Sequence, residues 1–221
     1  MSVPTPWSCV LLDVDGTIVD SAGAVLRSFR QSLGEMGVPV PDDVTLRRYV
    51  GPPLWTSFAD LGLGGEELER AVAHYRRVYS TMYLDPLPFA GVVDLLTDLR
   101  TAGIPLSTAT SKQEPMARAQ LEHLGLAPLF TVVAGATPDP ACTKATVIVS
   151  ALERLAELGV DTTRPVLLGD RKWDVEGARA AGIPVIGAGW GYAEPGELCS
   201  ADAVAVDVSA ARGLLLDGVA A

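Results

Sequence analysis

Four short polar clusters in this chain combine residue types that can carry chemistry. Asp13 and Asp15 flank a single valine where an apolar run stops, and Gly16-Thr17 follows at once. Thr110, Ser111 and Lys112 stand together, Lys144 heads a helical pattern, and Asp170 and Asp174 bracket Arg171-Lys172-Trp173. An aspartate can act as a covalent nucleophile. A hydroxyl can hydrogen-bond an anion, and a lysine adds a point charge. Gathering Asp13, Asp15, Asp170 and Asp174 in one place would crowd negative charge, and like charges oppose each other's ionisation. A hard divalent cation held by oxygens relieves that crowding. Each cluster alone has a plainer reading. Asp-Gly after a strand makes a turn, Thr-Ser caps helices, a lone lysine is solvated, and Gly169–Asp174 reads as a loop and cap. Convergence of all four in space is what separates the two readings.

The elements that would position these clusters are legible. Ser8–Asp15 is continuously apolar, then acidic, as a strand buried on both faces reads. Helical spacing follows over Ala22–Gly37, a short helix over Val44–Tyr49, and a strong amphipathic helix over Gly64–Tyr83, with Glu66 and Glu67 early and Arg76 and Arg77 later. Prolines and glycines break the stretch between the last two. From about residue 90 the rhythm changes. Helical stretches alternate with short apolar runs at Ile104–Thr110, Phe130–Gly135, Pro165–Asp170, Ile183–Gly189 and Ala201–Asp207. That alternation predicts an α/β fold, a doubly wound parallel sheet covered on both faces. The helical stretch after the first strand is then an inserted module, giving residues 1–19 and 88–221 as the core domain and 20–87 as a helical domain. Ligands of open parallel sheets collect at the carboxyl ends of the strands, and all four polar clusters fall on that edge. Residues two apart on a strand point the same way, so Asp13 and Asp15 can reach one substrate.

Composition narrows the function. The 221 residues are 48% hydrophobic and 20% charged, enough for a sizeable core. A net charge of −10 argues against nucleic acid or an anionic membrane surface as partner. It leaves room for an anionic substrate, since a bound cation reverses the local sign. Cys9, Cys142 and Cys199 are scattered and odd in number, which suggests reduced thiols and a cytoplasmic protein. The start, Met1–Ser8, lacks the basic and apolar runs of a signal peptide, and no stretch is long and apolar enough for a membrane helix.

Asp13-Val14-Asp15-Gly16-Thr17, Thr110-Ser111-Lys112, Lys144 and Gly169–Asp174, in this order and each at or after a strand end, resemble the four motifs of the haloacid dehalogenase-like superfamily of phosphoryl-transfer enzymes. The likeness spans nearly the whole chain, including an insert of the family's helical cap type. It implies a core with a Rossmann-like sheet and a Mg²⁺-dependent phosphatase acting on a small phosphorylated metabolite. Asp13 would be the nucleophile that forms an aspartyl-phosphate. Asp15 would protonate the leaving oxygen and then activate water. Mg²⁺ would be held by Asp13, the backbone carbonyl of Asp15, and Asp170. Asp174 would stand behind them, anchoring a metal-bound water or Lys144. Thr110, Ser111 and Lys144 would bind the phosphoryl group, helped by amides at the following helix start.

The stretch Arg47–Leu54 resembles caps of the phosphoglycolate phosphatase-like branch. By that likeness Arg47, Arg48, Gly51 and Trp55 would face the substrate, against the alternative of plain packing and an ordinary turn. Phosphoglycolate and a nucleoside monophosphate both fit as substrates. Three other readings compete. A β-phosphoglucomutase-like phosphosugar mutase uses the same aspartates but returns the phosphoryl group to the sugar. A dehalogenase needs neither Asp15 nor Mg²⁺. A receiver-type phosphoacceptor module also combines aspartate, Mg²⁺, hydroxyl and lysine, but carries its acidic pair as neighbours and its acceptor on a later strand.

Overall fold

In the computed structural model, which describes residues 6–139 and 141–217, the strands are β1 (Cys9–Leu12), β2 (Leu106–Thr108), β3 (Thr110–Gln113), β4 (Gly135–Ala136), β5 (Pro165–Gly169), β6 (Val185–Ala188) and β7 (Ala203–Ala205). The helices are α1 (Ala22–Glu35), α2 (Asp43–Arg47), α3 (Leu54–Asp60), α4 (Gly65–Tyr79), α5 (Val92–Thr101), α6 (Glu114–His123), α7 (Lys144–Glu157), α8 (Lys172–Ala181) and α9 (Val208–Leu216). Most of the Met1–Ser8 stretch examined for a leader, residues 1–5, lies outside the described residues. Among the described residues no helix is long and apolar enough to cross a membrane. The cysteines are free, with Cys9 buried and Cys199 exposed.

Five strands form one parallel sheet in the order β2-β1-β5-β6-β7, and β3 pairs with β4 in a second, two-stranded parallel sheet. β1 is central and buried throughout. Its alternate side chains serve two cores, as the period of two requires. Val10 and Leu12 pack with apolar positions of α5, α6 and α9. Cys9 and Leu11 pack with those of α7 and α8 on the other face. This double cover is why the run shows no polar alternation.

Helices α1 to α4 have a core of their own. Its centre is Phe29, whose ring lies 4.7 Å from Tyr75, 5.2 Å from Phe58 and 5.6 Å from Tyr49. The chain enters and leaves this layer side by side. Val19 and Pro88 form an isolated antiparallel bridge, and the Asp20 and Phe89 amides donate to the Leu87 and Ile18 carbonyls.

The structure departs from the expected elements at three places. The first strand stops at Leu12, so Asp13 and Asp15 lie just beyond it. Gly16 turns the chain there with φ +88°. The Ile104–Thr110 run splits at Ala109 into β2 and β3, and Phe130–Gly135 yields little strand. Thr108 explains the second departure. Its Oγ1 donates to the Ala134 carbonyl and accepts from the Ala134 amide, both at 2.8 Å, so that amide bonds a side chain instead of a ladder carbonyl. The proline-broken stretch before the long helix contains α3, whose N-cap is Pro53. Proline at a helix start loses no hydrogen bond and presets φ, so the residues read as breakers act as a starter.

Candidate active site

β1 and β5 are neighbours, but the sheet continues from them in opposite directions, to β2 and to β6. Such a switch point opens a crevice at the strands' carboxyl ends. Asp13 and Asp170 stand on either side of it. The Asp13 amide donates to the Leu168 carbonyl at 2.9 Å, carrying the β1–β5 ladder one residue past the strand. Asp170 is fully buried, its Oδ2 accepting from the Tyr192 amide at 2.8 Å and its Oδ1 from the Thr17 hydroxyl at 3.3 Å. Gly16 is required next to it. A Cβ there would lie 2.3 Å from the Asp170 carboxylate, and the positive φ already disfavours a side chain.

Lys144, the first residue of α7, lies buried between two acids. Its Nζ is 2.9 Å from Asp13 Oδ1 and 2.7 Å from Asp174 Oδ1, and it donates to the Ala109 carbonyl at 2.7 Å. The capping box at Thr143 and Thr146 fixes the start of α7 and so aims the lysine. Gly177 of α8 leaves its stem room, since a Cβ there would meet Lys144 Cγ at 2.6 Å. Burial disfavours the ammonium, but Asp13 and Asp174 outweigh it and hold the Lys144 pKa above the ordinary lysine range.

One lysine does not neutralise three carboxylates. Burial, with Asp174 and Asp13 nearby, pushes Asp170 well above the ordinary aspartate range. Burial also raises Asp174, to about 6, against the pull of Lys144 and with the push of Asp13. Asp13, Asp170 and Asp174 each bring a carboxylate oxygen within 4.8 Å of the others. A buried, oxygen-only, negatively charged donor set with excess charge fits a hard divalent cation.

The second polar cluster lies on β3. Thr110 and Lys112 are buried on the same face of that strand, and Ser111 lines the cavity described below. Thr110 Oγ1 accepts from the Lys112 amide at 3.2 Å. Lys112 Nζ is 2.8 Å from Asp15 Oδ1 and 2.5 Å from Gln120 Oε1, and sits 5.6 Å from the centroid of Tyr79 on α4. In the sequence Lys112 stands in this cluster with no role assigned to it. The signal was available, because the period of two that aligns Asp13 with Asp15 also aligns Thr110 with Lys112.

A cavity of about 580 Å³ lies between the sheet edge and the helical layer. Asp13, Asp15, Thr110 and Lys144 line its sheet end. Gly51, Trp55, Tyr75 and Arg76 line its helical end. Arg47 and Arg48 are exposed and stand outside that lining, and Arg48 pairs with Glu194 at 2.9 Å. Arg171, also missed from the sequence, ties the layers together. It is buried, pairs with Glu197 through Nε at 2.8 Å and Nη2 at 3.1 Å, and donates to the carbonyls of Arg48 and Val50. Tyr192 makes a second tie: its amide holds Asp170 while its hydroxyl donates to Asp20 at 2.6 Å and accepts from the Ala22 amide.

Comparison with known proteins agrees with this arrangement. Residues 10–188 match the haloacid dehalogenase-like hydrolase family. The tyrosine-protein kinase PtkA of Mycobacterium tuberculosis is 44% identical over 186 residues, covering 83% of this chain; the chain spans 62% of that protein's length. The phosphoglycolate phosphatase of Caulobacter vibrioides is 36% identical over 203 residues, 88% of this chain and 85% of that one. The crystal structure of a "predicted phosphatase" from Clostridium acetobutylicum superposes with a TM-score of 0.86 at 31% identity, over 93% of this chain and 96% of its own. Four motifs on one sheet edge, a helical layer over them and a match across most of the length thus have one source: the chain belongs to the haloacid dehalogenase-like hydrolase family, in its phosphoglycolate phosphatase-like branch.

Proposed function

We propose that the protein is a cytoplasmic, Mg²⁺-dependent phosphatase that hydrolyses a small phosphorylated metabolite through an aspartyl-phosphate at Asp13. The observation that carries this reading is Lys144, buried 2.9 Å from Asp13 and 2.7 Å from Asp174 at the floor of the cavity. A carboxylate held beside a fixed cation is oriented for attack.

In the first step an Asp13 oxygen attacks phosphorus, the bond to the leaving oxygen breaks, and Asp15 gives that oxygen a proton. In the second, water attacks phosphorus, Asp15 takes the water's proton, and the Asp13–phosphorus bond breaks. Thr110 and Ser111 hydrogen-bond the phosphoryl oxygens while Lys144 offsets their charge. Asp13, Asp170 and the Asp15 carbonyl would hold Mg²⁺. The bound ion would offset the charge of the acids and of the transferring group. Asp174 keeps Lys144 in place. Residues 20–87 act as a cap on a core of 1–19 and 88–221, excluding water during the first transfer and reading the leaving group at Gly51 and Trp55.

The test is a panel of phosphorylated metabolites, assayed for phosphate release with Mg²⁺ and with chelator, on the protein and on Asp13→Asn. Release that needs Mg²⁺ and vanishes in the variant supports the reading; undiminished release by Asp13→Asn overturns it. The 44% identity to a tyrosine-protein kinase favours a second reading, transfer of a phosphoryl group to a protein tyrosine. Phosphotyrosine formed from ATP, with no release of phosphate from the panel, would select it.

A further inference from the structure

We propose that Arg76 receives a second anionic group, a carboxylate or phosphate, carried on the leaving-group side of the substrate; this deepens the phosphatase reading and rests on it. Arg76 lies near the end of α4, half-buried, and lines the helical end of the cavity. The other cations lining the cavity, on its sheet side, are matched. Lys112 faces Asp15, and Lys144 faces Asp13 and Asp174. Its neighbour Arg77 reaches His74 at the protein's exposed surface. Among the described residues the Arg76 guanidinium has no ion pair and no hydrogen bond. Asp139 and Glu176, the remaining acids on the lining, come from the sheet side and do not pair with it.

A guanidinium drawn partly out of water without a partner is costly. Burial is the single influence on Arg76, and it lowers the pKa. The cost is offset if the group that completes the site is a ligand anion, which a planar guanidinium can take through two parallel hydrogen bonds. Volume agrees. About 580 Å³ exceeds what a phosphoryl group alone requires, and Leu54, Trp55, Met116 and Trp173 give an apolar wall between the two charged ends. The site then fits a substrate with the scissile phosphate at Asp13, a hydrocarbon body and an anion at the far end.

Two matched pairs of substrates test this: 2-phosphoglycolate against ethyl phosphate, and 4-carboxyphenyl phosphate against phenyl phosphate. For each pair the readout is the ratio of kcat/KM, carboxylated over neutral, in the unaltered protein and in Arg76→Gln. In at least one pair Arg76→Gln should lower the ratio about 10- to 100-fold, the size of one charge-assisted hydrogen bond, and Arg76→Lys should recover part of it. A ratio unchanged in both pairs overturns the proposal, whether activity is kept or falls equally for both members, since an equal fall places Arg76 on the transferring phosphate. If neither these compounds nor the wider panel of phosphorylated metabolites releases phosphate, the phosphatase reading fails instead. Calorimetric binding of the same pairs to Asp13→Asn, with and without Arg76→Gln, then decides the Arg76 assignment by the same ratio of Kd values.

Discussion

Replacing Lys144 by methionine removes the shared cation of Asp13 and Asp174 while roughly keeping the volume of its stem. Both carboxylates are buried, at 4% and 1% exposure, so neither can turn to water. Breaking a buried ion pair by deleting one partner costs about 3–5 kcal/mol, a large share of the roughly 5–15 kcal/mol that stabilises a typical domain. At about 2–4 °C per kcal/mol for a chain of this size, the midpoint of thermal unfolding should fall by roughly 6–20 °C in chelator. The loss should be larger at pH 8 than at pH 5, because protonation can relieve an unpaired buried carboxylate. Adding Asp174→Asn removes one of the stranded charges and should return part of the stability. Thermal and urea unfolding followed by circular dichroism measure these quantities, with the urea midpoint moving at constant slope. A loss below about 1 kcal/mol would mean that Lys144 does not balance the two buried acids. So would an undiminished loss when Asp13 and Asp174 are both neutralised, because the damage would then not be electrostatic.

In the metal-free protein, Asp174 should make stability fall as pH rises. Its pKa stands at about 6 when folded against an ordinary value of 3.8, so the native state holds the proton longer and the contribution is lost between those values. At about 1.4 kcal/mol per unit this amounts to roughly 3 kcal/mol. Chemical unfolding in chelator at pH 4 to 8, compared with Asp174→Asn, reads it, and a variant with the same pH slope contradicts it. Mg²⁺ at about 100 times its Kd should add about 2.7 kcal/mol at pH 8, and a midpoint insensitive to Mg²⁺ would speak against the donor set. Gly177→Ala lies inside α8, where alanine usually gains about 0.5–1 kcal/mol. Here the new Cβ would meet Lys144 Cγ at 2.6 Å, so the variant should instead lose about 1–3 kcal/mol and release phosphate more slowly. A more stable, fully active Gly177→Ala would contradict that. Lys112→Met leaves Asp15 and Gln120 without the cation between them and should lower kcat/KM for phosphate release at least about tenfold; unaltered kinetics would remove Lys112 from the site.

The sequence made the sheet and its acidic edge legible for a simple physical reason. A strand covered on both faces has no call for polar residues, so Asp13 after Cys9–Leu12 and Asp170 after Pro165–Gly169 stand out against their runs. Lys144 was legible because it opens a helix whose apolar spacing is strong. What stayed hidden depends on partners distant in the chain. Lys112 matters through Asp15, ninety-seven positions away, and Arg171 through carbonyls of Arg48 and Val50 on another layer. Backbone acceptors leave no trace in residue type. Arg47 and Arg48 stood out through the likeness of Arg47–Leu54 to the branch's caps, yet Gly51 and Trp55 reach the cavity while the arginines lie outward. The split at Ala109 was unreadable because the Thr108 hydroxyl, a side chain that suits strands, here takes the Ala134 amide that a strand carbonyl would hold.

If the proposed chemistry holds, Asp13 becomes phosphorylated during turnover. Quenching the reacting protein in acid and reducing it with borohydride converts an aspartyl-phosphate into homoserine, which peptide mass spectrometry can locate. Homoserine is expected at position 13, dependent on both Mg²⁺ and substrate. Steady release of phosphate with an intact Asp13, or homoserine at position 15 instead, would contradict it.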